Sequence, residues 1–222
     1  PATGYTFSGW KAGTVCETEP STTCAVTMSE ARTTSATFSA EGYGLTVTSP
    51  LHGTIQQWPS SDPNTGSKVS GGIDCGVTCS KSFSYGTTVY LKAIPAAGYK
   101  FTSSSWGSAC FGETSTVCEV TMTQARSVSV SFTSETYTLT IGSQTGSGVV
   151  TGQGINCGSG AGQSDCSEGF VYETSVALTA SPATGWKFSS WSGDACSSEL
   201  TAVCVRSEEH TSELQSRFGI SY

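Results

Sequence analysis

The sequence predicts an all-β fold made of tandem small domains that are cross-linked by disulfides. Short segments alternate apolar residues with small or polar ones, as at residues 89–93 and 128–132. This alternation is typical of a strand that buries one face. Turn-forming residues separate the segments, and no window carries the apolar spacing of an amphipathic helix. We therefore expect six to seven short strands in each domain and little helix.

The chain also repeats itself. A Gly-aromatic pair, a Phe, a Trp and two cysteines follow one another three times, beginning at Gly4, Gly98 and Gly185. The first cysteines of the three copies are 94 and then 86 residues apart. That period is too long for one turn of a solenoid and suits a small independent domain.

The repeat sets the expected domain boundaries. Residues 1–41 are interpreted as the C-terminal half of a first repeat, 42–135 as a complete repeat, and 136–205 as a third repeat truncated at its C-terminus. From Arg206 the sequence reads RSEEHTSELQS, which resembles a translated sequencing adapter. Residues 206–222 are therefore interpreted as an adapter-derived artefact without a functional role.

Composition narrows the class of protein. Only 12% of the 222 residues are charged and the net charge is −7. An acidic chain is a poor binder of nucleic acid, which requires basic patches. No run approaches the roughly 18 apolar residues of a membrane span, so we expect no membrane insertion. Low charge with much Gly, Ser and Thr favours an extracellular or cell-surface protein.

Ten cysteines form five short-range pairs in the sequence: Cys16 and Cys24, Cys75 and Cys79, Cys110 and Cys118, Cys157 and Cys166, and Cys196 and Cys204. The simplest interpretation is five local disulfides, each contributing about 2–3 kcal/mol, in an oxidising compartment.

The alternative for these thiols is a four-thiolate zinc site. It would use Cys75, Cys79, Cys110 and Cys118. The spacing of the first pair changes from four residues in the second repeat to nine in the third. A disulfide-closed surface loop tolerates such a change better than a zinc site does, so we expect disulfides and no metal.

Little in the sequence resembles a catalytic centre. A nucleophile needs a base within hydrogen-bond reach, and the one histidine before residue 206 is His52, in a turn that the third repeat lacks. We expect it to be a solvated loop residue. Acidic side chains fall in loops or beside cysteines, and no pair recurs between repeats: Glu17, Glu19, Asp62, Asp74, Asp165 and Asp194. The loop from Asp62 to Gly66 could hold calcium weakly, although ordinary turn chemistry explains it as well.

Tryptophan is the remaining residue type of interest. Trp10, Trp106 and Trp191 recur just before the local cysteine pairs. Each could be a core Trp that packs on its disulfide, or could form a surface on which a sugar stacks. Trp58 has no counterpart in the third repeat and stands at the mouth of a Pro/Ser/Gly-rich loop. An exposed Trp there would mark a ligand contact, whereas packing under its own loop is the alternative.

The full motif reads G-I-[DN]-C-G…C-S…F…T-x-V-x-L-x-A-x-P-x-x-G-x-x-F…W…C…C-x-V-T-M-x-x-A-R-x-V-x-V-x-F. It resembles the divergent InlB B-repeat family of bacterial surface proteins in its cysteine-containing form, and the resemblance covers residues 1–205. It implies a β-grasp-like topology, tandem extracellular modules and no assigned catalytic residues. A β-sandwich-like arrangement of the short strands is the other topology expected. Two extra residues between Phe101 and Trp106, and a longer loop at 157–166, depart from the pattern.

These observations lead to two hypotheses of different kinds. The first is a non-catalytic extracellular repeat segment that acts as a spacer, stalk or adhesion segment, without a cofactor. Its partners would be neighbouring repeats and flanking domains, with host or cell-wall glycans or proteins as further contacts. The second is a carbohydrate-binding module that uses Trp58 and the loop beside it.

Overall fold

The computed structural model describes residues 1–60, 62, 66–193, 196–197, 199–207 and 215–221. These residues form 21 strands and contain no helix. Accordingly, no helix in this part of the chain could span a membrane. Contacts divide the chain into unit 1, Pro1–Thr133, and unit 2, Ser134–Tyr222.

Unit 1 holds the first eleven strands and the start of the twelfth. They are β1 (Tyr5–Trp10), β2 (Ala36–Ala40), β3 (Gly42–Val47), β4 (Gly53–Trp58), β5 (Asp74–Cys75), β6 (Ser80–Ser84), β7 (Thr88–Pro95), β8 (Tyr99–Lys100), β9 (Trp106–Ser108), β10 (Val117–Thr121), β11 (Arg126–Val130) and β12 (Thr133–Ser134). The second repeat, residues 42–135, thus contains ten strands, β3 to β12. Three of them have two residues and one has three, which is too short for an alternation pattern to show in the sequence.

The second repeat is a sandwich of two four-stranded sheets. Sheet A has the order β10-β7-β4-β5, and sheet B has the order β6-β3-β11-β9. All neighbours in sheet A are antiparallel. In sheet B, β11 runs parallel to β3, so the first and last long strands of the repeat lie side by side.

One hydrophobic core fills the space between sheets A and B. Leu91 and Ile55 point into it from sheet A, and Leu45 and Val128 from sheet B, and all four are fully buried. Because side chains alternate along a strand, the apolar residues of β7 at positions 89, 91 and 93 all face this core. The residues between them therefore face outward.

The first repeat contributes a hairpin of β1 and β2, paired from Tyr5↔Ala40 to Trp10↔Ala36. The hairpin is fixed to the second repeat at Gly4, whose φ is +80°. A Cβ on Gly4 would lie 2.1 Å from the Tyr85 ring, so only glycine fits there. Beside it, the amide of Glu41 donates to the Gly4 carbonyl over 2.7 Å.

Unit 2 repeats the two-sheet plan. Its strands are β13 (Thr136–Thr145), β14 (Gly148–Gly152), β15 (Asn156–Gly158), β16 (Ser164–Asp165), β17 (Ser167–Val171), β18 (Ser175–Pro182), β19 (Lys187–Gly193), β20 (Val203–Ser207) and β21 (Gln215–Ser221). Sheet C has the order β16-β15-β14-β18-β20 and corresponds to sheet A. Sheet D has the order β17-β13-β21-β19 and corresponds to sheet B.

Strand β21 takes the place in sheet D that β11 takes in sheet B. It runs parallel to β13 and antiparallel to β19. In register, Ser216 stands where Val128 stands in the second repeat, and Phe218 stands where Val130 stands. The segment interpreted as adapter-derived therefore occupies the last strand position of the third repeat.

Candidate functional site

The ten cysteines form five disulfides, each within one short stretch of chain. The bonds join Cys16 to Cys24, Cys75 to Cys79, Cys110 to Cys118, Cys157 to Cys166, and Cys196 to Cys204. These are the pairs that the sequence predicted. The four thiols considered for zinc are thus consumed in two of the disulfides.

The three recurring tryptophans hold the disulfide loops. In each copy the indole Nε1 donates to the carbonyl three residues before the second cysteine: Trp10 to Ser21 over 3.0 Å, Trp106 to Ser115 over 2.8 Å, and Trp191 to Thr201 over 2.9 Å. Trp106 and Trp191 are each only 3% exposed. They therefore serve the core and leave no ring face for a sugar.

A phenylalanine packs on the edge of each of these indoles. The centroid distances are 5.6 Å for Phe7 and Trp10, 6.0 Å for Phe101 and Trp106, and 5.7 Å for Phe188 and Trp191. The second repeat keeps this contact despite its two extra residues, because they form a turn in which the amide of Thr102 donates to Ser105 Oγ over 2.9 Å. The insertion therefore changes a loop and leaves the core unchanged.

Trp58 stands apart from these three. It ends β4, where it pairs with Tyr90 on β7, and it is half-buried. Lys92 Nζ lies 3.9 Å from the centre of its ring, which is cation–π distance. Its Nε1 is buried and has no acceptor among the described residues. Trp58 is therefore packed on its own sheet, with a lysine over one ring face.

The side chains around Trp58 share the outward face of sheet A. We call this set the Trp58 face; its members are Gln56, Trp58, Asp74, Tyr90, Lys92 and Glu119. Gln56 Nε2 donates to Asp74 Oδ1 over 3.1 Å, and Lys68 forms an ion pair with the other carboxylate oxygen. The bond from Lys68, followed by the one from Gln56, lowers the pKa of Asp74 below its ordinary value.

The other candidates from the sequence have simpler surroundings. His52 is an exposed turn residue with φ +60°, and its ring stacks on Tyr99 at 4.0 Å. Residues 63–65 of the proposed calcium loop, and Asp194 among the carboxylates, lie outside the described residues. Within the described part of the chain, no three His, Cys, Asp or Glu side chains group closely enough to hold a metal ion.

Unit 2 contains a shallow cavity of about 330 Å³ at the Ser147 end of sheet C. Small and polar residues line it, including Ser159, Gln163 and Ser181, and its lining includes no aromatic or charged side chain. It offers neither a stacking surface nor an acid or base, so the Trp58 face is the better candidate for a binding site.

A comparison with known families decides the identity of the repeat. The sequence profile described as "Divergent InlB B-repeat domain" matches residues 1–42, 67–136 and 137–212. The chain belongs to the divergent InlB B-repeat family. The resemblance noted from the cysteine and tryptophan motif is thereby confirmed. Membership in the InlB B-repeat family, together with five disulfides, indicates an extracellular repeat module.

Among solved structures, the InlB B-repeat chain is similar to one titled "The Bacillus anthracis TIE protein", with a TM-score of 0.40 and 10% sequence identity. The similarity covers 84% of this chain and 37% of that one, so the chain spans little more than a third of that protein's length. No curated protein matches the chain.

Sequence reasoning singled out Trp58 in this InlB B-repeat chain but missed its neighbours. The alternation in β7 already placed Tyr90 and Lys92 on the outward face. What the sequence did not contain was the register that sets Trp58 opposite Tyr90 and Gln56 opposite Lys92. Cross-strand pairing of distant segments is therefore the signal that was lacking.

Proposed function

We propose that the chain is a non-catalytic repeat segment of a secreted or surface-attached bacterial protein. It spaces and projects another domain from the cell envelope, or contributes directly to adhesion. Its partners are neighbouring repeats and the domains that flank them in the parent protein. The family membership and the disulfide-closed modules support this proposal.

The observation that carries the proposal is the recurrence of one construction along the chain. Each copy places an indole against a disulfide loop and donates a hydrogen bond to that loop. The recurring feature is thus a set of contacts that stabilises the module. No acid, base or nucleophile recurs with these contacts among the described residues. Short cross-linked loops also leave few extended segments for proteases to cleave.

Surface display tests the spacer role. The whole chain is placed between a cell-wall anchor and a terminal epitope, and is compared with a Gly/Ser linker of equal length. We expect the epitope to stay accessible to a large antibody and to survive protease treatment that removes it from the linker. A matched variant, Cys110→Ala with Cys118→Ala, should lose part of that resistance. Removal of the epitope at the linker's rate would refute the proposal.

A second candidate function is glycan binding, which would make the segment adhesive. The specific observation in its favour is the Trp58 face, where two aromatic side chains and several polar ones share the outward surface of one sheet.

A further inference from the structure

The Trp58 face is not required for the fold. Unit 2 builds the corresponding sheet C with Thr151 opposite Thr179 and Asn156, and with Ala177 opposite Val205. These positions match Gln56, Lys92, Asp74, Tyr90 and Glu119 of sheet A. The third repeat therefore forms the same architecture with small or uncharged side chains on this surface.

The chemistry of the Trp58 face is of a kind that recognises hydroxyl-rich ligands. Aromatic rings bury the apolar C–H face of a sugar, while amide and carboxylate groups bond its hydroxyls. Gln56 and Asp74 supply an amide and a carboxylate, already aligned by their mutual bond of 3.1 Å. Glu119 lies opposite Tyr90 across the next strand pair.

Tyr90 is the ring on which a sugar would stack. Lys92 already covers one face of the Trp58 indole. Trp58 therefore borders the site and holds the lysine in place. Tyr90 is half-buried between Trp58 and Glu119, and neither the Tyr90 hydroxyl nor the Glu119 carboxylate has a bonding partner among the described residues. Both groups are therefore available to a ligand.

Charge and shape limit the ligand further. With Lys68, the surface carries two positive and two negative side chains: Lys68, Lys92, Asp74 and Glu119. An anionic polymer is attracted by a net positive surface, and this surface has no net charge. The balance therefore favours an uncharged ligand. The surface runs across the four neighbouring strands of sheet A on its outward side, so it suits an extended chain.

We propose that the Trp58 face binds the chain of a neutral polysaccharide, with Tyr90 as the stacking residue and Gln56, Asp74, Lys92 and Glu119 as hydrogen-bonding residues. This inference rests on the proposed function, since it identifies the contact surface of an adhesive repeat segment.

The test uses the oxidised full chain and soluble polysaccharides. The neutral probes are mannan, dextran, laminarin, xyloglucan and chitin oligosaccharides, and the acidic probes are hyaluronan and polygalacturonate. Affinity gel electrophoresis identifies binders and calorimetry measures their Kd. We expect saturable binding to at least one neutral probe. Binding to none of them, or to the acidic probes only, overturns the proposal.

Variants then locate the site. Tyr90→Ala should weaken binding at least about tenfold, whereas Tyr90→Phe, which keeps the ring, should retain most of it. Thr179→Ala, at the position matching Lys92 in unit 2, is the control and should change nothing. If Tyr90→Ala perturbs the fold, Lys92→Met and Gln56→Ala provide independent tests. Binding that survives all of these substitutions contradicts the proposed site.

A transplant makes the assignment stricter. Gln153 follows Gly152, which pairs with Leu178 as Gln57 pairs with Leu91, so it matches Trp58 in position. Ala177→Tyr with Thr179→Lys and Gln153→Trp, made in the Tyr90→Ala chain, should restore part of the lost affinity through unit 2. Failure of every glycan arm would leave the spacer role standing, because epitope accessibility on the cell surface does not depend on a sugar. Loss of epitope protection with intact sugar binding would refute the spacer role and leave the glycan-binding site standing.

Discussion

The indole Nε1 of Trp106 donates a hydrogen bond of 2.8 Å to the backbone carbonyl of Ser115, inside the loop that Cys110 and Cys118 close. The bond joins a buried side chain on β9 to a loop whose other residues are largely exposed. Core packing and loop conformation are therefore coupled at one atom pair in each repeat.

We expect Trp106→Phe to lower the free energy of unfolding of unit 1 by about 1–3 kcal/mol, because it removes the bond and part of the buried ring. Urea unfolding, with hydrogen exchange of the β10 amides to localise the effect, measures this. Trp191→Phe should affect unit 2 in the same way. Phe111→Ala is the control in the same loop, since Phe111 is 85% exposed. Equal losses in Phe111→Ala and Trp106→Phe would contradict the assignment.

The disulfides should contribute according to loop length. Cys110→Ala with Cys118→Ala opens a separation of eight residues, and we expect a loss of about 2.5 kcal/mol. Cys75→Ala with Cys79→Ala opens a separation of four, with an expected loss of about 2 kcal/mol. Denaturant unfolding of both double variants checks the magnitudes. A smaller loss from the longer loop would show that native-state effects outweigh chain entropy.

Gly53 marks a tight contact between β4 and the end of the second repeat. A Cβ there would lie 2.3 Å from the Phe132 ring and 2.6 Å from the Ile94 carbonyl oxygen. We expect Gly53→Ala to destabilise unit 1 by about 1–3 kcal/mol through overpacking. Gly42, also in a strand, has nothing within 4 Å of such a Cβ, so Gly42→Ala is the matched control. Thermal unfolding that fails to separate the two variants would count against this contact.

Asp74 should make stability depend on pH. Its pKa is lowered by the bonds from Lys68 and Gln56. A lowered carboxyl pKa stabilises the fold above the unfolded-state pKa, near pH 4, and the contribution disappears as pH falls through the folded-state pKa. The difference in unfolding free energy between wild type and Asp74→Asn should therefore be constant from pH 7 to about 5 and shrink below about 4. A difference that persists unchanged at low pH would exclude the charge as its source.

Much of this fold could be predicted because it rests on local patterns. The alternation in β7, the repeat itself and the short cysteine spacings each lie within a few residues or one period. The sheet order could not be predicted in this way, since it depends on pairing between distant strands such as β3 and β11. For the same reason Trp58 was noticed while Tyr90 and Lys92, which the register brings beside it, were not.

The last strand of unit 2 offers a direct test of the adapter interpretation. Ser216 takes the register position of Val128, which is fully buried in unit 1. Replacing residues 215–221 with SVSVSFT, the sequence of residues 127–133, should raise the stability of unit 2 by about 1 kcal/mol or more, because it places valine at that position. Unfolding monitored by hydrogen exchange of β13 measures the gain.

The control for this exchange has the same composition. The sequence VSVSFTS, from residues 128–134, shifts the pattern by one residue and places serine at positions 216 and 218. A one-residue shift moves every side chain to the opposite face, so this variant should gain nothing. Equal stability of the two variants would mean that unit 2 gains nothing from apolar residues on the inward face of this strand.

The parallel pairing of β3 and β11 has a mechanical consequence. The chain enters the second repeat at β3 and leaves it after β11, and the two strands are joined from Leu45↔Arg126 to Val47↔Val128. Tension applied through the two ends pulls these neighbours in opposite directions along their axes. The hydrogen bonds between them are then loaded in shear and must break together, whereas a hairpin pulled at its open end unzips one bond at a time. Each disulfide also prevents the loop that it closes from being stretched. In a protein anchored at a cell wall and attached to a distant surface, this repeat would transmit the tensile force with little extension of the chain.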